Sequence, residues 1–412
     1  MTFTPMRLSS ALVRTLTGRP STRTLLIALT ASGSLVLASC ATFDDSTSAS
    51  GDWQPTAELT PERGPQPDLP EVGGEREPDA PERTREPIPP PDGCTDHDPA
   101  VIATCLGPVG AVAALPPHGT EIGALAGERE SGTVHAAVEG ADPREFASLE
   151  VDATGDGGLT GLALSPTYHE DRLVYAYIST EEDNRVVRFA EDGDATPVLT
   201  GIPKGDSGNA GALGHGGDGT LLVATGDGGD PDAAEDPDSL AGKVLRIDRS
   251  GDAAEGNPEP DSPVIAGGLH SPGGLCASQD GTRSWVTDQG GSVDRLYRIE
   301  PGEDLSAPAW TWEDRPGVAG CADWSDLLMV TTSNTGSIQS MPIDEDGVIT
   351  AEPQVSDTRQ DGNGYGRIAD VDVISKEVAV AGTVNKAGGD PVSSDDRVVL
   401  LLRPEAGSGG AD

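Results

Sequence analysis

From residue 94 onward the chain is written in short apolar runs separated by glycine and aspartate. "RLVYAYIST", "TLLVATGD", "KVLRID", "RSWVTDQG", "DLLMVTTS", "EVAVAGTV" and "RVVLLLRP" are the clearest of them. Each is four to eight residues of Val, Leu, Ile, Thr or aromatic side chains bounded by turn formers, the pattern of a β-strand. No stretch sustains a helical period, so the pattern predicts an all-β chain.

The runs recur as a unit: a strand start of small residues, a turn, a strand ending in Thr or Ser, then a strand carrying charges. Copies read "GGLTGLALSP…RLVYAYIST…NRVVRF", "AGALGHGGDGTLLVATGD…GKVLRID" and "PGGLCASQDGTRSWVTDQG…DRLYRIEPG", with fainter copies before and after. Equivalent glycines fall at Gly161, Gly211, Gly274 and Gly320, in steps of 50, 63 and 46. Periods near ~40–50 with several strands per unit indicate a β-propeller, and six copies fill residues 94–404. A two-sheet sandwich is the alternative, but it leaves the repeat unexplained.

The ends have a different texture. Residues 1–39 carry Arg7, Arg14, Arg19 and Arg23, no acid, and a mostly apolar run that leads into "LASC". A basic start, a short apolar core and small residues before a cut are the parts of a secretory signal. The cysteine after Leu-Ala-Ser resembles a bacterial lipobox, so Cys40 is expected to be acylated and to tether the chain to the outer face of the cell membrane. Residues 40–93 hold 11 of the 34 prolines, alternating charges and almost no aliphatic clusters. Such a segment cannot bury enough apolar surface to order itself, and reads as a disordered, semi-stiff spacer. Residues 405–412 read as a flexible tail.

Charge narrows the partners. The chain has 27 Lys+Arg against 69 Asp+Glu, a formal charge of −42, and losing the four leader arginines takes it to −46. A surface of that sign repels phosphate backbones, which excludes nucleic acid as a partner. A monomer is expected. Beyond Cys40, the four cysteines Cys94, Cys105, Cys276 and Cys321 suit two disulfides in an oxidising compartment, with three connectivities open. Cys276 and Cys321 hold near-equivalent places in successive repeats, on neighbouring blades near the axis. This favours Cys276–Cys321, and with it the short loop Cys94–Cys105. No pair has C-x-x-C spacing, so zinc is a poor alternative.

The segments "GDGGLTGLALSPTYHEDRLVYAYIS", "DGTLLVATGDGG", "DSLAGKVLRIDRSG", "GGLHSPGGL", "WVTDQGGSVDRLYRIEPG" and "GRIADVDV" together resemble the soluble glucose/sorbosone dehydrogenases. That resemblance covers roughly residues 108–403 and implies a six-bladed propeller that oxidises sugars with pyrroloquinoline quinone (PQQ) and calcium. It also implies a central H-N-G-G-R-[IL] strand whose histidine takes the proton of the sugar hydroxyl. The matching residues here are Gly208, Asn209, Ala210, Gly211, Ala212 and Leu213, so the histidine is Gly208 and the arginine is Ala212. The R-N-P-x-G segment, whose arginine faces the cofactor, reads His270-Ser271-Pro272-Gly273-Gly274. G-R-x-R-D reads Gly366-Arg367-Ile368-Ala369-Asp370, with one arginine of two kept. If PQQ binds, the resemblance assigns Asn209, His270 and Arg367 to it. The calcium turn matches Gly290-Gly291, whose backbone carbonyls keep calcium open. Asp227 matches the aspartate that orients the base, and without a base its expected role is to cap a turn.

Other motifs carry less. "GHGGDG" spells G-x-G-x-x-G but leads into a strand, whereas a dinucleotide site needs a helix N-terminus. "GDSG" lacks the rest of a serine-protease triad. His215 is seven residues beyond Gly208, an odd offset that points it to the opposite side of a strand; as a substitute base it is a candidate beside His270 and Asp227. The acidic run 227–238 lacks the glycine an EF-hand loop needs at its sixth position, and reads as a solvated loop. Trp310 and Trp312 suit core packing better than a sugar-stacking rim.

A trianionic cofactor needs several cations to offset its desolvation, and the matched pocket keeps few. The sequence therefore favours a propeller that binds a sugar, a glycan or an envelope protein without chemistry, for which animal relatives of this propeller that only bind proteins are a precedent. An active PQQ- and calcium-dependent aldose dehydrogenase is the alternative. In bacteria, Cys40→Ala should abolish incorporation of labelled palmitate and move the chain from the membrane to the soluble fraction. Unchanged labelling and fractionation would remove the anchor.

Overall fold

The computed structural model describes residues 88–117, 119, 121–359 and 364–404. The signal segment, Cys40, most of the spacer and the tail 405–412 lie outside the described residues. The domain begins slightly before Cys94, because Asp92 and Thr95 already pair and the Pro91 carbonyl accepts a bond from Ser393.

Among the described residues, twenty-four strands form six four-stranded antiparallel sheets. Strand β1 (Val101–Ala103) is set apart from its sequence neighbours. Blade 1 is β2 (Val109–Ala114), β3 (Gly123–Glu128), β4 (Thr133–Val138) and β5 (Arg144–Ser148). Blade 2 is β6 (Leu159–Leu164), β7 (Val174–Ser179), β8 (Asn184–Phe189) and β9 (Thr196–Ile202), with the one-turn helix α1 (Tyr168–Asp171) after β6. Blade 3 is β10 (Gly211–His215), β11 (Leu221–Thr225), β12 (Lys243–Ile247) and β13 (Val264–Gly267), with α2 (Pro231–Glu235) after β11. Blade 4 is β14 (Pro272–Ala277), β15 (Ser284–Gln289), β16 (Asp294–Arg298) and β17 (Trp310–Trp312). Blade 5 is β18 (Val318–Asp323), β19 (Leu327–Thr332), β20 (Ser337–Pro342) and β21 (Gln354–Asp357). In blade 6, β22 (Ile368–Val373), β23 (Val378–Thr383) and β24 (Val398–Leu402) are completed by β1, which pairs with β24 at Val101–Val399 and Ala103–Val398. The first strand and the last thus share one sheet, and the expected six-bladed propeller is what forms.

The first strand of each blade lines the axis and meets its counterparts in the two neighbouring blades. Their small residues follow from that crowding. A Cβ on Gly274 would stand 2.6 Å from the Cα of Gly320, and one on Gly320 would stand 2.6 Å from the amide nitrogen of Val371. Larger side chains pack between blades. Trp285, Leu296, Val318, Leu328 and Val330 share one cluster with the Cys276–Cys321 disulfide, which links blades 4 and 5. Cys94–Cys105 is also formed. Trp312 is buried in the same cluster and Trp310 packs against it, on the outermost strand of blade 4, so both belong to the core. In the acidic run, Asp230 caps α2 by accepting from the Asp232 amide, and the buried Lys243 ammonium donates to the carbonyls of Ala233, Ala234 and Ala241.

Two carboxylates close the ring on its inner side. Asp370 Oδ2 accepts from the Val112 amide and Asp372 Oδ2 from the Ala114 amide, each at 2.8 Å, joining blade 6 to blade 1. Both line an axial cavity of about 240 Å³. Desolvation, with the neighbouring Asp372 adding to it, pushes Asp370 up to about 8 against its backbone hydrogen bonds. The folded state therefore holds this proton more tightly than the unfolded chain. Its contribution to stability is present at acid pH and is lost as pH rises from 3.8 toward about 8. Asp370→Asn carries no such loss, so the stability of the variant relative to the parent should grow across that interval in urea unfolding. A pH-independent difference would refute the assignment.

Candidate functional site

The starts of the inner strands open on a cavity of about 320 Å³, lined among others by Arg129, Asp156, Thr160, Ser271, Gln289 and Arg367. At this end the chain turns between strands, so backbone amides outside the sheets need other acceptors. Aspartate side chains take several of them. Asp156 accepts from the amides of Gly208 (3.0 Å) and Asn209 (3.1 Å). Asn209 is fully buried, and its amide group bonds the N–H and the C=O of Gly205 and the side chain of Asn184. Its side chain holds this loop together.

Gly208 sits in that loop with φ +69°. A Cβ there would overlap Asp227 Oδ1 and stand 2.8 Å and 2.9 Å from the amide nitrogens of Gly229 and Gly228. Asp227 itself caps the turn as expected, accepting from Gly229 at 2.7 Å. Burial raises its carboxyl, a bond from the Gly229 amide and the nearby His270 work against this, and the charges of Asp288 and Asp156 add to it.

Asp227 also connects this loop to the next blade: its N–H donates to the His270 carbonyl at 2.9 Å, while the Gly228 N–H donates to the Gly208 carbonyl at 2.9 Å. His270 precedes β14. Its Nδ1 lies 3.5 Å from Asp288 Oδ2, and Asp288, at the end of β15, is wholly buried. The other oxygen of Asp288 accepts from the amides of His270 and Ser271, each at 2.8 Å. Interaction with Asp288 raises the imidazole pKa, burial opposes it, the charges of Asp288 and Asp227 add to it, and Arg295 opposes them.

His215 is elsewhere. It ends β10 at the opposite mouth, lining the axial cavity with Asp370 and Asp372, where desolvation lowers its pKa against the charge of Asp372. The strand geometry thus keeps it from the base position, and it is no substitute there. Ala212, where the family has arginine, is buried in the blade 3 core.

The fit to PQQ is poor. Arg367 donates Nε to the Ser333 carbonyl, Nη1 to the Ala387 carbonyl at 2.9 Å and Nη2 to Asn334 at 3.4 Å, so its fork is occupied by the scaffold. Arg129 donates to the Gly157 carbonyl and pairs with Glu130, each at 2.9 Å. Two guanidiniums committed in this way, beside the Asp156 side chain, do not match three carboxylates. Calcium fits no better at Gly290 and Gly291. They form the β15–β16 turn, and the Arg295 guanidinium nitrogen lies 2.6 Å from where a Cβ on Gly290 would be. A cation held there disfavours a second. Among the described residues, no three His, Cys, Asp or Glu side chains gather as a metal site.

Asp156, Arg129 and Asp288 were not singled out in the sequence. Asp288 had a signal: it ends the second strand of blade 4 close to the place where Asp227 follows the second strand of blade 3.

Comparison with known proteins agrees with the fold. The PQQ-bound aldose sugar dehydrogenase of Streptomyces coelicolor superposes with a TM-score of 0.66 at 30% identity, over 73% of this chain and 96% of that one. A glucose dehydrogenase-like oxidoreductase from Thermus thermophilus gives 0.64 at 27% identity, over 73% and 98%. The aldose sugar dehydrogenase YliI of Escherichia coli is 25% identical over 182 residues, 40% of this chain and 49% of that protein. This chain thus spans about half the length of that curated relative. The glucose / sorbosone dehydrogenase profile matches residues 111–319, half of the sequence. With six blades, matching strand motifs and that profile, the chain belongs to the glucose/sorbosone dehydrogenase family.

Proposed function

We propose that this protein is an exported lipoprotein, anchored through Cys40 on the extracytoplasmic face of the cell membrane. Its propeller binds a sugar, a glycan or an envelope protein at the cavity end without the oxidative chemistry of its relatives. The observation that carries this reading is Gly208. The base position lacks an imidazole, and its backbone is held by Asp156 in a left-handed turn that leaves no room for one beside Asp227. General-base catalysis needs a group within hydrogen-bond reach of the proton it removes, and nothing at residue 208 meets that condition. The committed forks of Arg367 and Arg129 support the same reading.

An active PQQ- and calcium-dependent aldose dehydrogenase is the second reading. It is favoured by the family and by the PQQ-bound relative from Streptomyces coelicolor.

Calorimetric titration of the soluble Cys40→Ala chain with PQQ and calcium separates the two. The binding-module reading expects no heat, no thermal stabilisation and no dye reduction with aldoses. Micromolar binding together with dye reduction would establish the dehydrogenase. Gly208→His should not restore oxidation and should lower stability by about 1–3 kcal/mol, the usual cost of forcing a side chain into filled space. A variant as stable as the parent, read by denaturant unfolding, would mean that the loop opens readily.

A further inference from the structure

His270 and Asp288 form a pair with one free edge. His270 Nδ1 and Asp288 Oδ2 are both buried, neither has another partner among the described residues, and they face each other across 3.5 Å. Asp288 is held by two backbone N–H groups on its other oxygen, so it cannot turn away. The His270 side chain is nevertheless 40% exposed. With Nδ1 buried, the exposed edge is the one that carries Nε2, which has no hydrogen-bond partner among the described residues. A carboxylate behind Nδ1 fixes the tautomer with the proton on that nitrogen and leaves the Nε2 lone pair facing outward.

The place of this edge matters. Ser271, Pro272 and Gly273, which follow His270, line the cavity. The backbone bonds of Asp227 and Gly228 put the His270 carbonyl and the Gly208 carbonyl on two successive residues of one segment. The imidazole therefore belongs to the neighbourhood of the position at which the family keeps its own. The charged groups around it are Asp288 from β15, Asp227 from the loop after β11 and Arg295 from β16.

From this geometry we infer that His270, oriented by Asp288, is the hydrogen-bond acceptor for a hydroxyl group of a polyhydroxylated ligand at the cavity mouth. His270 is the binding group and Asp288 the positioning residue. The inference deepens the proposed sugar-binding role and rests on it.

Nitrogen-15 NMR of the Cys40→Ala chain, well above the ring's pKa, tests the pair directly, with His270→Gln assigning the signal. The expected result is the Nδ1–H tautomer, changed to Nε2–H or a mixture in Asp288→Asn, which keeps an acceptor for the two amides. The Nε2–H tautomer in the parent, or no change in Asp288→Asn, would overturn it. Titration with D-glucose as probe should move the Nε2 resonance, and His270→Gln should weaken binding about three- to tenfold, the loss of one hydrogen bond. Glucose binding by calorimetry with an unmoved His270 resonance would overturn the inference and leave the sugar-binding reading intact. PQQ binding with dye reduction would overturn that reading, while the tautomer would still report on the pair.

Discussion

Everything in this molecule depends on the closure of a ring. Six twisted sheets surround an axis only if the last is tied to the first, and here two sets of hydrogen bonds do it. On the outside β1 adds to β24, so the first and last strands of the described residues share one sheet. On the inside Asp370 and Asp372 reach from β22 to the amides of Val112 and Ala114 on β2. The inner ties place two carboxylates in a walled axial cavity, and the high affinity of Asp370 for its proton follows from that burial.

The same device builds the other end. Inner strands that start at the axis present unpaired amides, and a buried amide without an acceptor is costly. Asp156, Asp288 and Asp294 supply acceptors ahead of β10, β14 and β18, the last for Gly317 and Val318, and Asp227 caps the turn after β11. The acid-rich composition is thus partly architectural. It also shapes the cavity, because carboxylates engaged by backbone amides hold loops in place, and guanidiniums engaged by carbonyls have little left for a ligand. The polar groups of Asp156, Arg129 and Arg367 around this pocket bond to the scaffold. His270, beside this pocket, has one nitrogen facing Asp288 and the other without a hydrogen-bond partner among the described residues.

Much of this was legible in the sequence. Strand periodicity, the glycine steps and the near-equivalence of Cys276 and Cys321 gave the blades, their number and the disulfide, because those signals are local or repeat with the blade. The replacement of histidine by Gly208 was equally plain, since it needs only an alignment of motifs. Tertiary structure decided which of the two histidines neighbours that glycine. His215 is closer in sequence, but an extended strand carries it to the far mouth, whereas His270 arrives from the next blade through the backbone of Asp227. It also decided that Asn209 and Arg367 are engaged by the scaffold, that Arg295 stands at the Gly290 turn, and that Asp288 lies behind His270. Those relations join residues on different strands and blades, and no local pattern encodes them.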